Sequence, residues 1–293
     1  MQENIFILPD KRQLGYAVYG PVNGQPVLYF HGTPSSRLEP MLLLGYNKDI
    51  DVLTNRYNLR LIAIDRPGMG LSTYDPNGSF ASCAADAVAL LDHLNIDTFK
   101  ILCWSGGGSF TLSTSYHYPN RVLSAHIICG FTRSFADPGV FANMGGNKYY
   151  FGAARFTPRI MQFIMNYVGK KTPDRPLPHW LSQLKPVDLN LMKDLRAFRQ
   201  LSKVTLNEAC RVNSKGLVHE ARLYYGDTGY SLGKIQPPVH YWWGTDDNVV
   251  TKVHATSVEQ QVPNNTMHYR QGEAHLSLYV NYIEEILKVL AEA

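Results

Sequence analysis

The stretch Phe99-Lys100-Ile101-Leu102-Cys103-Trp104-Ser105-Gly106-Gly107-Gly108 constrains this chain more than any other. An apolar run of strand-compatible residues ends abruptly at a serine. Three glycines follow, and Ser109-Phe110-Thr111-Leu112 opens a helical pattern. A strand, a sharp turn and a helix hold a serine on strained backbone with its Oγ pointing outward. Strand and helix approach closely at such a turn, so its neighbours must be small. Gly107, two places after Ser105, meets that need. Cys103, two places before it, is small but stands where such a turn usually has glycine.

The segments around this turn alternate in type. Residues 4–9 and 12–19 predict two strands joined at Pro9-Asp10-Lys11. Pro26-Val27-Leu28-Tyr29-Phe30 and Leu59-Arg60-Leu61-Ile62-Ala63-Ile64 are short, nearly continuous apolar runs, as expected of strands covered on both faces. Residues 36–57 are mixed and partly helical. Ala84, Val88, Leu91 and Leu94 recur at helical spacing within 79–94. Residues 122–129 form the next strand. The alternation resumes with a strand at 238–243, a helix near 251–261, a strand near 266–271 and a helix from Leu276 onward. This rhythm predicts an α/β fold: a mostly parallel central sheet flanked by helices. Between about 131 and 235 the rhythm stops. Helices are expected there at 157–168, 187–201 and 204–220, forming an insertion between the strands near 122–129 and 238–243.

Composition excludes some functions. A net charge of +4 over 293 residues gives no electrostatic case for nucleic acid. No apolar run has the length of a membrane span. No basic region followed by an apolar stretch marks the N-terminal residues, so no signal peptide is expected. The four cysteines, Cys83, Cys103, Cys129 and Cys210, lack metal-ligand spacing, and a reducing, cytoplasmic setting is expected. No phosphate loop and no histidine cluster is present in the sequence, so neither cofactor nor metal is expected.

In an open parallel sheet, chemistry gathers at the carboxyl ends of the strands. Ser105 ends one strand. Gly244-Thr245-Asp246-Asp247-Asn248 ends the strand after the insertion, and Gly272-Glu273-Ala274-His275 ends the last. The order Ser, Asp, His, with all three at strand ends, is that of a hydrolytic triad on an α/β sheet.

With these residues the chain resembles the α/β-hydrolase fold superfamily, in its capped serine-hydrolase form. His31-Gly32-Thr33-Pro34-Ser35-Ser36-Arg37 resembles that family's oxyanion loop. Asp65-Arg66-Pro67-Gly68-Met69-Gly70-Leu71-Ser72 resembles its loop after the next strand, and Tyr118-Pro119-Asn120-Arg121-Val122 the segment closing the nucleophile helix. The segments from Gly244 to Val250 and from Gly272 to Leu278 resemble its acid and histidine loops. The likeness runs from about residue 12 to the end. It implies a hydrolase core of 1–130 and 236–293 with a helical cap, or lid, at 131–235.

The resemblance implies roles. Ser105 is the nucleophile and His275 its base. Asp247 is the acid, because the family places it three residues after the glycine that here is Gly244; Asp246 is the second choice. Gly106 and Thr33 supply the backbone N–H groups of an oxyanion hole, since Pro34 has none to offer. Trp104, beside Ser105, is a substrate-binding candidate, or else it packs beneath the oxyanion loop. His31 is expected to buttress that loop and Arg66 to bond behind it. The insertion is dense in aromatics, among which Phe141 and Tyr149 are the further substrate-binding candidates.

The expected activity is acyl transfer from a small to medium, mainly apolar ester, thioester or lactone, or cleavage of an activated C–C bond. The alternative is a lyase, an isomerase or a small-molecule receptor on the same fold. The expected partner is a small-molecule substrate, with neither nucleic acid nor a membrane, and oligomeric state is left open.

Overall fold

The computed structural model describes residues 3–171 and 184–293. Six strands run parallel: β3 (Gln25–Phe30), β4 (Leu59–Ile64), β5 (Phe99–Trp104), β6 (Val122–Ile128), β7 (Val239–Gly244) and β8 (Asn265–Arg270). A hairpin of β1 (Asn4–Ile7) and β2 (Gln13–Tyr19) joins antiparallel at β4. The eight-stranded sheet has the order β1-β2-β4-β3-β5-β6-β7-β8. Central β5 is buried at every position. Edge strand β8, written Asn-Thr-Met-His-Tyr-Arg, keeps its side chains partly in solvent, which explains its polar sequence.

The core helices are α1 (Ile50–Arg56), α2 (Phe80–His93), α3 (Gly107–His117), α10 (Lys252–Gln261) and α11 (His275–Glu292). Helix α2 starts where Ser79 and Ser82 close a reciprocal capping box. Helix α3 packs on α2, and α11 packs on α1. Residues 107–115 of α3 are all buried.

The β6–β7 connection is helical, with no strand among its described residues. It holds α4 (Pro138–Ala142), α5 (Asn147–Phe156), α6 (Pro158–Val168), α7 (Pro186–Met192), α8 (Leu195–Ser202) and α9 (Lys215–Leu223). Two expected helices prove to be broken. The span 187–201 divides at Asp194, whose side chain accepts from Arg196 N at 2.8 Å and starts a new helix. The span 204–220 divides after a π-helical turn at Lys203–Asn207. Ser214 then stands before α9, its N–H and hydroxyl bonded to Asn166 Oδ1 at 2.8 and 3.0 Å. Apolar spacing runs through the break at Asp194, so periodicity alone does not reveal it, whereas it lapses over the polar run Asn213-Ser214-Lys215-Gly216 at the second.

Register aligns the strand ends. Phe30 pairs with Cys103, Trp104 with Ile128, Ile128 with Trp242, and Trp242 with His268. The next residues out, His31, Ser105 and Cys129, therefore leave the sheet along one edge. A groove of about 570 Å³ beside β2 and β4 is lined by Tyr16, Val18, Arg60 and Leu94.

Candidate active site

Ser105 has φ +54°, in the left-handed region that side chains other than glycine seldom occupy. Bonds on both sides hold it there. Its N–H donates to Ile128 O at 2.9 Å, and its carbonyl accepts from Gly108 N and Phe131 N, each at 3.1 Å. A Cβ added to Gly107 would stand 2.3 Å from Phe30 O and 2.8 Å from Cys103 Cβ. Strand and helix thus leave no room for a side chain at 107, while the small Cys103 is accommodated.

His275 is the first residue of α11, and Asp247 sits in the turn after β7. Asp247 Oδ2 lies 2.8 Å from His275 Nδ1. Its Oδ1 accepts from Val249 N at 2.7 Å and Val250 N at 2.8 Å. Both side chains are buried. Burial favours neutral imidazole, but the charge and hydrogen bond of Asp247, together with the charges of Asp188 and Glu39, raise His275 above the ordinary imidazole value. Asp246, by contrast, is half-buried and turns its carboxylate to Thr245 Oγ1 at 3.4 Å.

Three side chains hold this pair from other directions. The Trp104 indole stacks on the His275 ring with centroids 5.1 Å apart, and its Nε1 donates to His275 O at 3.2 Å. Cys129 Sγ, an Asp247 carboxylate oxygen and a His275 ring nitrogen lie within 4.8 Å of one another. This is the metal-type grouping found among the described residues, but in it the imidazole is already bonded to the carboxylate. Burial, and then the Asp247 charge, push the Cys129 thiol well up. Finally Asp188, on α7, reaches across to the start of α11. It accepts from Ser277 N at 2.8 Å and Leu276 N at 3.1 Å. Burial raises its carboxyl above the ordinary value, against the lowering effect of those two N–H groups.

The loop after β3 faces Ser105 across a narrow gap. A Cβ on Gly106 would stand 2.1 Å from Thr33 Oγ1, so the two candidate oxyanion donors belong to residues in close apposition. Gly106 caps α3, where backbone N–H groups have no partner within the helix. Beneath the loop, Gly32 N donates to Glu39, which is fully buried, with both oxygens at 2.9 Å. Burial pushes the Glu39 carboxyl up to about 7, against the lowering effect of its hydrogen bonds. Behind the loop, Arg66 donates to His31 O, to Gly32 O at 2.7 Å and to Thr33 Oγ1 at 3.0 Å. Its charge is matched by buried Glu220 of α9, with Nη2–Oε1 at 2.7 Å. Thr33 Oγ1 also donates to Glu220, and Tyr224 donates to Gly106 O at 2.8 Å. His31 is buried with Nδ1 2.8 Å from Gly32 O, and burial drives it well below the usual imidazole value.

Of the aromatic candidates, Trp104 packs on His275, while Phe141 and Tyr149 are exposed on the helical connection. The aromatics that face the nucleophile turn are others. Phe131, Phe135, Phe151 and Tyr224 form one cluster, tied to the turn through Phe131 N and the Tyr224 hydroxyl. Sequence reasoning also missed Glu39, Asp188, Cys129 and Glu220. No local pattern marks them, because their roles arise from contacts between distant segments.

A model of the α/β hydrolase fold family matches residues 25–282. The chain belongs to the α/β hydrolase fold family. It is 28% identical over 160 residues to the uncharacterized hydrolase YcgS of Bacillus subtilis strain 168, a match covering 55% of this chain and 51% of that protein. It is 32% identical over 114 residues to a serine hydrolase-like protein of Danio rerio, covering 38% of this chain and 32% of that one. The chain thus matches about half or less of the length of these relatives. Among solved structures, an esterase, RhEst1, from Rhodococcus sp. ECU1013 superposes with a TM-score of 0.68 at 20% identity, covering 100% of this chain and 99% of that one.

Proposed function

We propose that this protein is a serine ester hydrolase working through an acyl-enzyme. The observation that carries the reading is the 2.8 Å contact between Asp247 Oδ2 and His275 Nδ1, at the sheet edge from which Ser105 leaves on a left-handed turn. With Nδ1 engaged by Asp247, Nε2 of neutral His275 is free to take a proton. The Ser105 hydroxyl gives up its proton to Nε2 as Oγ attacks the ester carbonyl. The oxyanion so formed accepts from the backbone N–H groups of Gly106 and Thr33. Its collapse expels the alcohol, which leaves with the proton from His275. Water then attacks the acyl-serine with His275 again acting as base, releasing the acid and restoring Ser105.

The α4–α9 connection acts as the cap over this site. Glu220 and Tyr224 of that segment bond to Thr33 and Gly106, so cap and oxyanion loop are braced together. The Phe131, Phe135 and Phe151 rings next to the nucleophile turn favour an uncharged, apolar acyl group of small to medium size. The test is hydrolysis of p-nitrophenyl esters of increasing chain length by wild-type and Ser105→Ala protein. Turnover that falls about 10⁴-fold or more in the variant supports the reading. Equal hydrolysis by both proteins would overturn it.

A further inference from the structure

Helix α6 buries one side and leaves the other bare. Met161 is buried, whereas Ile160, Phe163, Ile164 and Tyr167 are exposed, Phe163 by 78%. Their spacing is i, i+3, i+4, i+7, a continuous stripe along one helix face. Val168 extends it, and Tyr149 and Phe156 of the adjoining α5 are exposed by 77% and 73%. Single exposed apolar residues are ordinary, but a stripe of five on one helix face, with two more on the adjoining helix, marks a surface that meets something.

Charge indicates what that is. Residues 138–171 hold Lys148, Arg155, Arg159, Lys170 and Lys171 and no Asp or Glu, more positive charge than the net +4 of the whole chain. All five cations are exposed, and among the described residues no carboxylate pairs with any of them. Two of them touch rings of this face: Lys171 Nζ is 3.8 Å from the Tyr167 ring centre, and the Arg155 guanidinium carbon, 4.5 Å from the Tyr225 ring centre, is 5.5 Å from that of Phe156. A second copy of the chain is a poor occupant, because a two-fold contact would set these cations against themselves. No described helix is long and apolar enough to cross a membrane. An apolar stripe rimmed by cations instead suits a helix lying in the surface of an anionic bilayer.

We propose that α5 and α6 form a membrane-docking face, with Ile160, Phe163, Ile164 and Tyr167 entering the headgroup boundary and the five cations contacting anionic lipid. This revises the expectation of no membrane partner, which rested on the lack of a spanning segment. The proposal stands independently of the hydrolase reading, because its readout is binding. The experiment is co-sedimentation of the full chain with phosphatidylcholine vesicles, with and without phosphatidylserine, at low and high salt. Binding is expected only with the anionic lipid and weakens as salt rises. Phe163→Ser/Tyr167→Ser lowers the partition coefficient about a hundredfold. Arg155→Gln/Arg159→Gln lowers it about tenfold or more at low salt. Thermal unfolding of both variants verifies that they remain folded. No binding by wild-type protein, or binding that ignores both variants, would overturn the proposal. So would a dimer that the stripe variant dissolves in protein that ignores vesicles.

Discussion

Asp247 divides its two oxygens between two duties. Oδ1 is held by the N–H groups of Val249 and Val250, and this fixes the direction in which Oδ2 presents itself to His275. The consequence for pH follows from the sign of the His275 shift. In the proposed mechanism the base must be neutral, so kcat/KM should fall as pH drops through a midpoint above the ordinary 6.5. Stability runs the other way. A raised imidazole contributes stability that is complete below the unfolded value and lost as pH rises through the raised one. Asp247→Asn should lower kcat about 10⁴-fold. It should also bring the His275 midpoint down, as read by NMR titration of the imidazole. A midpoint unchanged in the variant would show that Asp247 does not set the His275 charge. This pair was legible in the sequence because chain order and strand-end position both leave a mark there. Cys129 and Glu39 were not. Each is an ordinary residue in its own segment, made special only by burial against Asp247 or under Gly32.

At the level of elements, two of the contacts that tie the β6–β7 connection to the core bear directly on the site. The first is Asp188 of α7, which receives the free N–H groups opening α11 next to His275. Removing that acceptor with Asp188→Ala should cost about 1–2 kcal/mol, seen as a lower Tm. It should also move the acid limb of kcat/KM downward, since the Asp188 charge adds to the raised His275 value. Asp188→Asn keeps an acceptor and should recover most of the Tm but not the limb. A limb that stays in place in both variants would confine Asp188 to a structural part. The second contact is Arg66 with Glu220, both buried. Arg66→Ala strands a buried carboxylate and should cost about 3–5 kcal/mol. Arg66→Ala/Glu220→Ala should cost less than the sum of the single changes, a coupling readable by urea denaturation. Strict additivity would argue against the pairing. The core strands were legible because apolar runs bounded by turns have few alternatives. Helices of the connection were less so: Asp194 interrupts a span whose apolar spacing continues across the break, and Ser214 stands in a polar run short enough to pass for the outer face of one helix.

For the whole molecule, a parallel sheet gathers chemistry along one edge, and register aligns the residues that leave it. The β3, β5 and β6 strands deliver His31, Ser105 and Cys129 there, and the loops after β7 and β8 bring Asp247 and His275. The edge could be inferred from sequence because alternating strands and helices leave one topology open. What lies above it could not, because the aromatics of the connection divide by contact rather than by type. Phe135 and Phe151 are buried together near the turn, whereas Tyr149 and Phe163 face outward with the same chemistry. The central claim is that Ser105 is a nucleophile activated by His275. Its most direct test is intact-mass measurement after treatment with a fluorophosphonate, on wild-type, Ser105→Ala and His275→Ala proteins. One adduct on wild type and none on either variant is the expected result. An adduct that persists in Ser105→Ala, or a folded wild-type protein that takes none, would contradict the claim.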